Sequence, residues 1–238
     1  MIMERVETGI EGLDNLLGGG FPKNRTVLVA GETGTGKTIF SLQYLYNGAR
    51  IYGESGVYVT IDEKPEHVVE DAASLGWDLE ALIDNNLLLI VELTPFFTSL
   101  RRLDAKEIVE NLRSYITEIH AARLVIDPVA PLITRSEEPI EPAFAQAYVK
   151  NYLRRLFFSL DELNVTTVAT SEIPTGTSQL SRYGVEEFLA SGVIVLTLRR
   201  EGGRFHREMY VRKMRGVNHS MDIYPFIIEQ GRGIVISI

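Results

Sequence analysis

The sequence predicts an α/β protein: a mostly parallel central sheet with helices on both faces and a C-terminal antiparallel β extension. Three observations predict it. Short, nearly continuous apolar runs alternate with stretches of helical spacing as far as residue 170. A glycine-rich loop joins the first of those runs to the first long helical stretch. From Val193 onward the helices stop and strand follows strand.

The elements follow in order. Thr8-Gly9-Ile10-Glu11-Gly12-Leu13-Asp14 leads through Leu16-Leu17 into Gly18-Gly19-Gly20, a short helix closed by glycines, with a turn at Phe21-Pro22. Thr26-Val27-Leu28-Val29-Ala30 is β-prone and apolar. After the loop, Phe40, Tyr44 and Leu45 share one helical face, with Leu42 and Tyr46 beside them. Gly56 to Ile61 reads as a strand, and Glu66 to Leu75 as a helix through Val68, Val69, Ala72 and Leu75. Leu87 to Val91 reads as a buried strand. Ala105 to His120 is helical, with Ile108, Leu112, Tyr115, Ile116 and Ile119 on one face. Leu124-Val125-Ile126 is a strand ending at Asp127, Ala143 to Leu160 a helix, and Thr166 to Thr170 a strand. Four more strands follow: Val193–Leu198, Arg207–Met214, Tyr224–Ile228 and Gly233–Ile238. Turns are signalled at Glu201-Gly202-Gly203, Arg215-Gly216 and Gly231-Arg232-Gly233. No repeat or low-complexity linker interrupts the chain, so a single domain over residues 1–238 is expected.

Composition narrows the classes. The 238 residues are 45% hydrophobic and 24% charged, ordinary for a folded protein. A net charge of -8 disfavours wholesale nucleic-acid binding. The absence of cysteine excludes disulfides and thiolate metal sites. No apolar run approaches the roughly 18 residues of a membrane span. Met1-Ile2-Met3-Glu4-Arg5-Val6-Glu7 has no signal-peptide core, so a cytoplasmic location is expected.

Gly31-Glu32-Thr33-Gly34-Thr35-Gly36-Lys37-Thr38 is G-x-x-x-x-G-K-T, the Walker A phosphate loop, in the strand–loop–helix setting it requires. Its glycines let backbone N–H groups converge on a polyphosphate, and the helix that follows points its positive end there. Glu32, Thr33, Gly34, Thr35, Gly36, Lys37, Thr38 and Ile39 form the expected nucleotide-binding set. Lys37 reaches the β- and γ-phosphates, and the Thr38 hydroxyl ligates Mg²⁺. Asp127, an acid at the end of an apolar strand, is the expected Walker B partner orienting Mg²⁺. Asp62-Glu63 ends the second strand at the edge where ligands sit. Spacing alone leaves two readings, a carboxylate facing the γ-phosphate or the acidic start of the next helix. Thr170-Ser171-Glu172 is either a γ-phosphate sensor or a polar strand end. Residues 199–215 hold Arg199, Arg200, Arg204, Arg207, Arg212, Lys213 and Arg215 against Glu201 and Glu208. Such a hairpin is a solvated face or, since Lys213 and Arg215 are two apart on a strand, a phosphate clamp for its own or a neighbour's site.

These residues together resemble the KaiC-like branch of the RecA superfamily of ATPases. The opening segment, Val59-Thr60-Ile61-Asp62-Glu63-Lys64-Pro65, Arg182-Tyr183-Gly184-Val185-Glu186-Glu187-Phe188 and Lys213-Met214-Arg215-Gly216-Val217-Asn218-His219 are similar to blocks of that family. The resemblance runs nearly end to end and implies a RecA-like P-loop core in a stand-alone, single-domain member. It implies that Glu63 is the catalytic carboxylate and that Asp62 is the first of a pair usually Glu-Glu. It implies that Lys213, Arg215 and His219 reach the γ-phosphate of the adjacent subunit. The implied ligands are ATP/ADP and Mg²⁺. The implied assembly is a homo-oligomeric ring, a hexamer, which signals to or remodels a protein partner still to be identified. Kinase-type domains of the family carry hydroxyl residues where this chain has Glu186-Glu187, so self-phosphorylation is not implied, and neither is a circadian role.

Two other functions compete. A DNA-dependent RecA-type recombinase or helicase needs basic loops after the Walker B strand and the next strand. Thr134 to Glu141 is acidic, and Pro174 to Tyr183 offers only Arg182. A non-hydrolysing nucleotide-binding scaffold has no need of a positioned carboxylate such as Glu63. A small GTPase is disfavoured, because the chain has no N-K-x-D element.

Overall fold

The structure, a computed structural model, describes residues 3–93, 105–133 and 142–238. Among the described residues nine strands form one sheet, in spatial order β11 (Gly233–Ile236), β10 (Tyr224–Glu229), β9 (Arg204–Met214), β8 (Gly192–Glu201), β3 (Thr26–Gly31), β7 (Thr166–Glu172), β6 (Arg123–Asp127), β4 (Gly56–Thr60) and β5 (Leu88–Glu92). The parallel part comprises β3 (Thr26–Gly31), β4 (Gly56–Thr60), β5 (Leu88–Glu92), β6 (Arg123–Asp127), β7 (Thr166–Glu172) and β8 (Gly192–Glu201). The antiparallel part adds β9 (Arg204–Met214), β10 (Tyr224–Glu229) and β11 (Gly233–Ile236). The first of the four C-terminal strands therefore joins parallel to β3, and the antiparallel extension begins one strand later than expected.

Alternation along each strand sends side chains into two cores. Leu28 and Ala30 of β3, Val57 and Val59 of β4, and Leu124 and Ile126 of β6 face α5 (Ala105–Glu118) and α6 (Pro142–Asp161). Val27, Val29, Tyr58 and Val125 face the other way, toward α2 (Lys37–Tyr52), α3 (Pro65–Ser74) and α4 (Leu79–Asp84). Both faces of the parallel strands are covered, which is why their sequences read as continuous apolar runs. Buried Gln43 stitches α2 to β11. Its amide donates to the carbonyls of Arg232 (2.9 Å) and Ile234 (3.1 Å) and accepts from the Ile234 N–H (2.7 Å).

The short α1 (Leu13–Leu16) lies where the sequence predicts it. Phe21-Pro22 is not a turn: it forms β2 (Phe21–Pro22), paired with β1 (Arg5–Val6) in a two-stranded sheet. Burial of Phe21 against Tyr44, ring centroids 5.6 Å apart, outweighs the turn preference of proline. Two helices carry too few residues for a periodic signal: α4, capped by Asp78 accepting from the Ala81 N–H (2.9 Å), and α7 (Glu186–Leu189). The acidic segment Thr134–Glu141 lies outside the described residues. Among the described residues no helix is long and apolar enough to cross a membrane.

The sheet order matters for chemistry. Strands β3 and β4 follow one another in sequence but are separated in space by β7 and β6. The carboxyl ends of these four strands therefore open on one crevice, the location that open α/β sheets offer a ligand.

Candidate functional site

That crevice is a cleft of about 230 Å³ lined by Thr33, Lys37, Thr38, Tyr58, Thr60, Asp62, Glu63, Asp127, Pro128 and Glu172. Each strand end contributes. The loop after β3 turns through Gly34 (φ 82°) and Gly36 (φ 108°), left-handed conformations that suit glycine. The Thr35 hydroxyl closes the loop on the Glu32 carbonyl (2.8 Å). Lys37 opens α2 and bends back, its Nζ donating to the carbonyls of Gly31 (2.8 Å) and Glu32 (2.9 Å). Burial pushes the Lys37 ammonium below its ordinary pKa, against the opposing pull of Asp127 and Glu172.

Asp127 ends β6 and is held from two sides. The Tyr58 hydroxyl donates to Oδ2 (2.7 Å) and the Thr170 hydroxyl to Oδ1. Burial first, then the Asp127 charge and its hydrogen bond, raise the Tyr58 hydroxyl well above the ordinary tyrosine value, so it remains a donor. Asp62 and Glu63 follow β4. The Thr60 hydroxyl donates to the Glu63 carbonyl (2.6 Å) and accepts from the Glu63 N–H (3.2 Å), which fixes the backbone there. Glu63 has its pKa raised by burial, then by Asp71 and Asp127, against a lowering by His67. Asp62 is raised by burial and by Asp127. At the end of β7, Glu172 accepts from the Thr33 hydroxyl (3.1 Å) and lies 3.9 Å from Arg182.

The cleft thus sets four carboxylates against one ammonium. That excess of negative charge, with hydroxyl and carboxylate oxygens as the donor set, fits a hard divalent cation such as Mg²⁺. Thr38, next after Lys37 on α2, and Asp127 belong to that donor set, and the two hydroxyls on Asp127 would orient it as a ligand.

Lys213, Arg215 and His219 are not in this cleft. Lys213 pairs with Val193, and the Arg215 N–H bonds Ser191, whose own N–H bonds Thr26. Gly31 lies level with Leu196. Arg215 is therefore about five residues, roughly 16 Å, down the sheet from the loop. A bulge between Val193 and Ile194 adds one residue to β9, so Lys213 and Arg215 turn to the α7 face while Met209, Val211 and Met214 stay in the α2-side core. Lys213 Nζ donates to the Glu187 carbonyl (2.7 Å), and Arg215 Nη2 to the Phe188 carbonyl (3.1 Å). His219 Nδ1 lies 2.8 Å from the Ser220 carbonyl. Burial lowers the Lys213 pKa and the neighbouring Arg215 lowers it further.

Tyr58, Thr60 and Arg207 were not singled out for the cleft from sequence. Strand alternation on β4 carries the signal for Tyr58, since it falls on the face opposite Val57 and Val59. Arg207 reaches the phosphate loop from β9, Nη2 to the Gly34 carbonyl at 3.4 Å. No spacing rule in the sequence connects those two positions.

A family profile described as "ATPase: KaiC" matches residues 6–238. The chain is 36% identical over 235 residues to the circadian clock oscillator protein KaiC of Thermostichus vulcanus, covering 98% of this chain and 44% of that protein. It is 38% identical over 225 residues to the KaiC of Parathermosynechococcus lividus, covering 93% and 40%. The chain thus spans less than half the length of these relatives. Among solved structures, a KaiC-like protein from the hyperthermophilic archaeon Pyrococcus horikoshii OT3 superposes with a TM-score of 0.86 at 39% identity, covering 100% of both chains.

Proposed function

The chain belongs to the KaiC family of ATPases in the RecA superfamily, and from that premise we propose that it hydrolyses ATP to ADP and phosphate at sites shared between neighbouring subunits of a ring. The family profile over residues 6–238 supports reading the chain as one ATPase domain. The observation that carries the shared-site reading is a separation. The phosphate loop, Asp127, Asp62 and Glu63 meet in one cleft, while half-buried Lys213 and exposed Arg215 lie at the other end of the sheet, beyond the reach of their own loop.

In this reading the loop amides of residues 32–39 and Lys37 hold the β- and γ-phosphates, and Thr38 and Asp127 hold Mg²⁺. Held there by Thr38 and Asp127, Mg²⁺ would offset the negative charge of the polyphosphate. Glu63 orients a water in line with the γ-phosphorus and takes its proton. The new bond forms between the water oxygen and phosphorus, and the bond to the β–γ bridging oxygen breaks to release ADP. The raised pKa of Glu63 makes it a better proton acceptor than an ordinary carboxylate. Asp62 flanks it as the second acid. Lys213, Arg215 and His219 of the adjacent subunit stabilise charge on the γ-phosphoryl oxygens, so turnover depends on assembly. A six-membered ring and a protein partner that responds to turnover complete the proposal.

Light scattering with and without Mg-ATP, alongside phosphate release, tests it. The expected result is a ring-sized particle whose turnover per chain falls on dilution. An active monomer whose turnover ignores concentration overturns the shared site.

A further inference from the structure

Glu186 is a carboxylate with 0% exposure, and the reaction as described does not use it. Burying such a group is costly unless its oxygens are hydrogen-bonded. Its partners among the described residues are neutral donors from two directions. The Ser171 hydroxyl donates to Oε1 (3.2 Å) and the Ser181 hydroxyl lies 2.7 Å from Oε2. The N–H groups of Tyr183 (3.3 Å) and Val185 (3.2 Å) complete the set. Ser181 also contacts the Glu187 carboxylate. Ser171 in turn accepts from the Arg182 N–H (3.0 Å).

The placement of those partners is informative. Ser171 is level with Ala30 in the sheet and immediately precedes Glu172, which lines the cleft and holds Thr33 of the phosphate loop. Glu186 is also the first residue of α7, a helix of four residues with too little intrinsic stability to hold its own place. The carbonyls that leave α7 at Glu187 and Phe188 are the ones that receive Lys213 and Arg215. One buried carboxylate therefore fastens to the sheet the short helix on which both basic side chains rest.

We propose that Glu186 is a positioning residue for the reaction. By anchoring α7 to Ser171 and Ser181 it presents Lys213 and Arg215 in the geometry the neighbouring site needs. The inference rests on the shared-site reading above. A residue that only stabilised the fold would weaken every function of the chain in parallel. A residue that positions the basic pair leaves the chain's own nucleotide cleft intact and spoils its neighbour's turnover.

The test is Glu186→Gln, which keeps the side-chain size and replaces one acceptor oxygen with a donor. Turnover is expected to fall about tenfold or more, while the dissociation constant for Mg-ADP changes by less than about threefold. The defect should be complemented in trans. An equimolar mixture with Glu63→Gln chains is expected to recover about a quarter of wild-type turnover per chain, because half the chains keep an intact cleft and half of those receive an intact neighbour. Arg215→Ala mixed with Glu63→Gln is the reference. If the reference mixture recovers and the Glu186→Gln mixture does not, the positioning role is overturned and the shared site stands. If neither recovers despite confirmed mixed assemblies, the shared site fails and the positioning role fails with it. Unchanged turnover in Glu186→Gln also overturns the proposal. Should Glu186→Gln not fold, Ser181→Ala removes one donor in its place; a smaller loss with the same complementation is expected, and its absence overturns the proposal.

Discussion

The two ends of the sheet solve different physical problems. At the loop end, Lys37, Asp62, Glu63, Asp127 and Glu172 come from four strand ends that are distant in sequence and adjacent in space. They crowd like charges together: burial first raises Asp62 and Glu63 from their ordinary values, Asp127 raises Asp62 further, and Asp71 and Asp127 raise Glu63. At the far end, Lys213 and Arg215 are two residues apart on one strand and rest on backbone carbonyls, and there burial and then the like charge of Arg215 push Lys213 down, so the crowding is of positive charge. The cleft carries an excess of negative charge, and the far end presents two cations. In the ring proposed above, that complementarity would favour a head-to-tail contact between two copies, the heterologous contact from which rings are made.

The largest expected effect breaks this comparison most directly. Arg215→Ala should lower phosphate release by about 10³-fold, the low end of what an arginine supplied to a neighbour's phosphoryl group is worth. Nucleotide affinity and melting temperature should stay near wild type, because Arg215 is exposed. Turnover at the wild-type level would make the far end an ordinary solvated face. At the loop end, Glu63→Gln should lower turnover by about 10²-fold and keep nucleotide binding. Parallel loss of binding would mean that Glu63 holds the nucleotide and does not act on water. Tyr58→Phe sharpens the picture of Asp127. Removing the hydroxyl on Oδ2 should weaken apparent Mg²⁺ affinity about tenfold, measured from the metal dependence of turnover, with protein stability little changed.

The same contrast explains how much was legible in the sequence. The loop end was readable because its residues obey local rules. Walker A is a contiguous run, Asp127 ends an apolar strand, and the parallel sheet that gathers them follows from alternating apolar runs. What the local rules missed are contacts set by register. Tyr58 reaches Asp127 across neighbouring strands, and Arg207 reaches Gly34 across a strand pairing with no sequence signature. At the far end, Lys213 and Arg215 were visible as a pair with a common direction. Which face they took depended on the bulge at Val193/Ile194, where the spacing of core residues changes from two (Met209, Val211) to three (Met214), and strict alternation does not anticipate that change. The four-residue helix that receives them is likewise below the length at which periodicity speaks.

The smallest expected effect tests the crowding itself. The ordinary glutamate value is 4.5, and in the folded chain Glu63 titrates above it, chiefly through burial and then Asp71 and Asp127. Between these two values the folded state holds a proton that the unfolded state has released. Stability contributed by this group is therefore highest at low pH and is lost as pH rises through the folded value. Glu63→Gln carries no such proton. In metal-free buffer it should melt higher than wild type at pH 7 to 8, by a few degrees at most for a group this close to solvent, and the two curves should converge near pH 4. Saturating Mg²⁺ should narrow the gap, because a dication held by Asp127 offsets part of the repulsion that raises Glu63. Turnover of the wild type should fall as pH drops through the same raised value, since the protonated acid no longer accepts a proton from water. A melting difference independent of both pH and metal would show that packing, and not charge, distinguishes the two proteins. The loop end would then not be the electrostatic counterpart of Lys213 and Arg215.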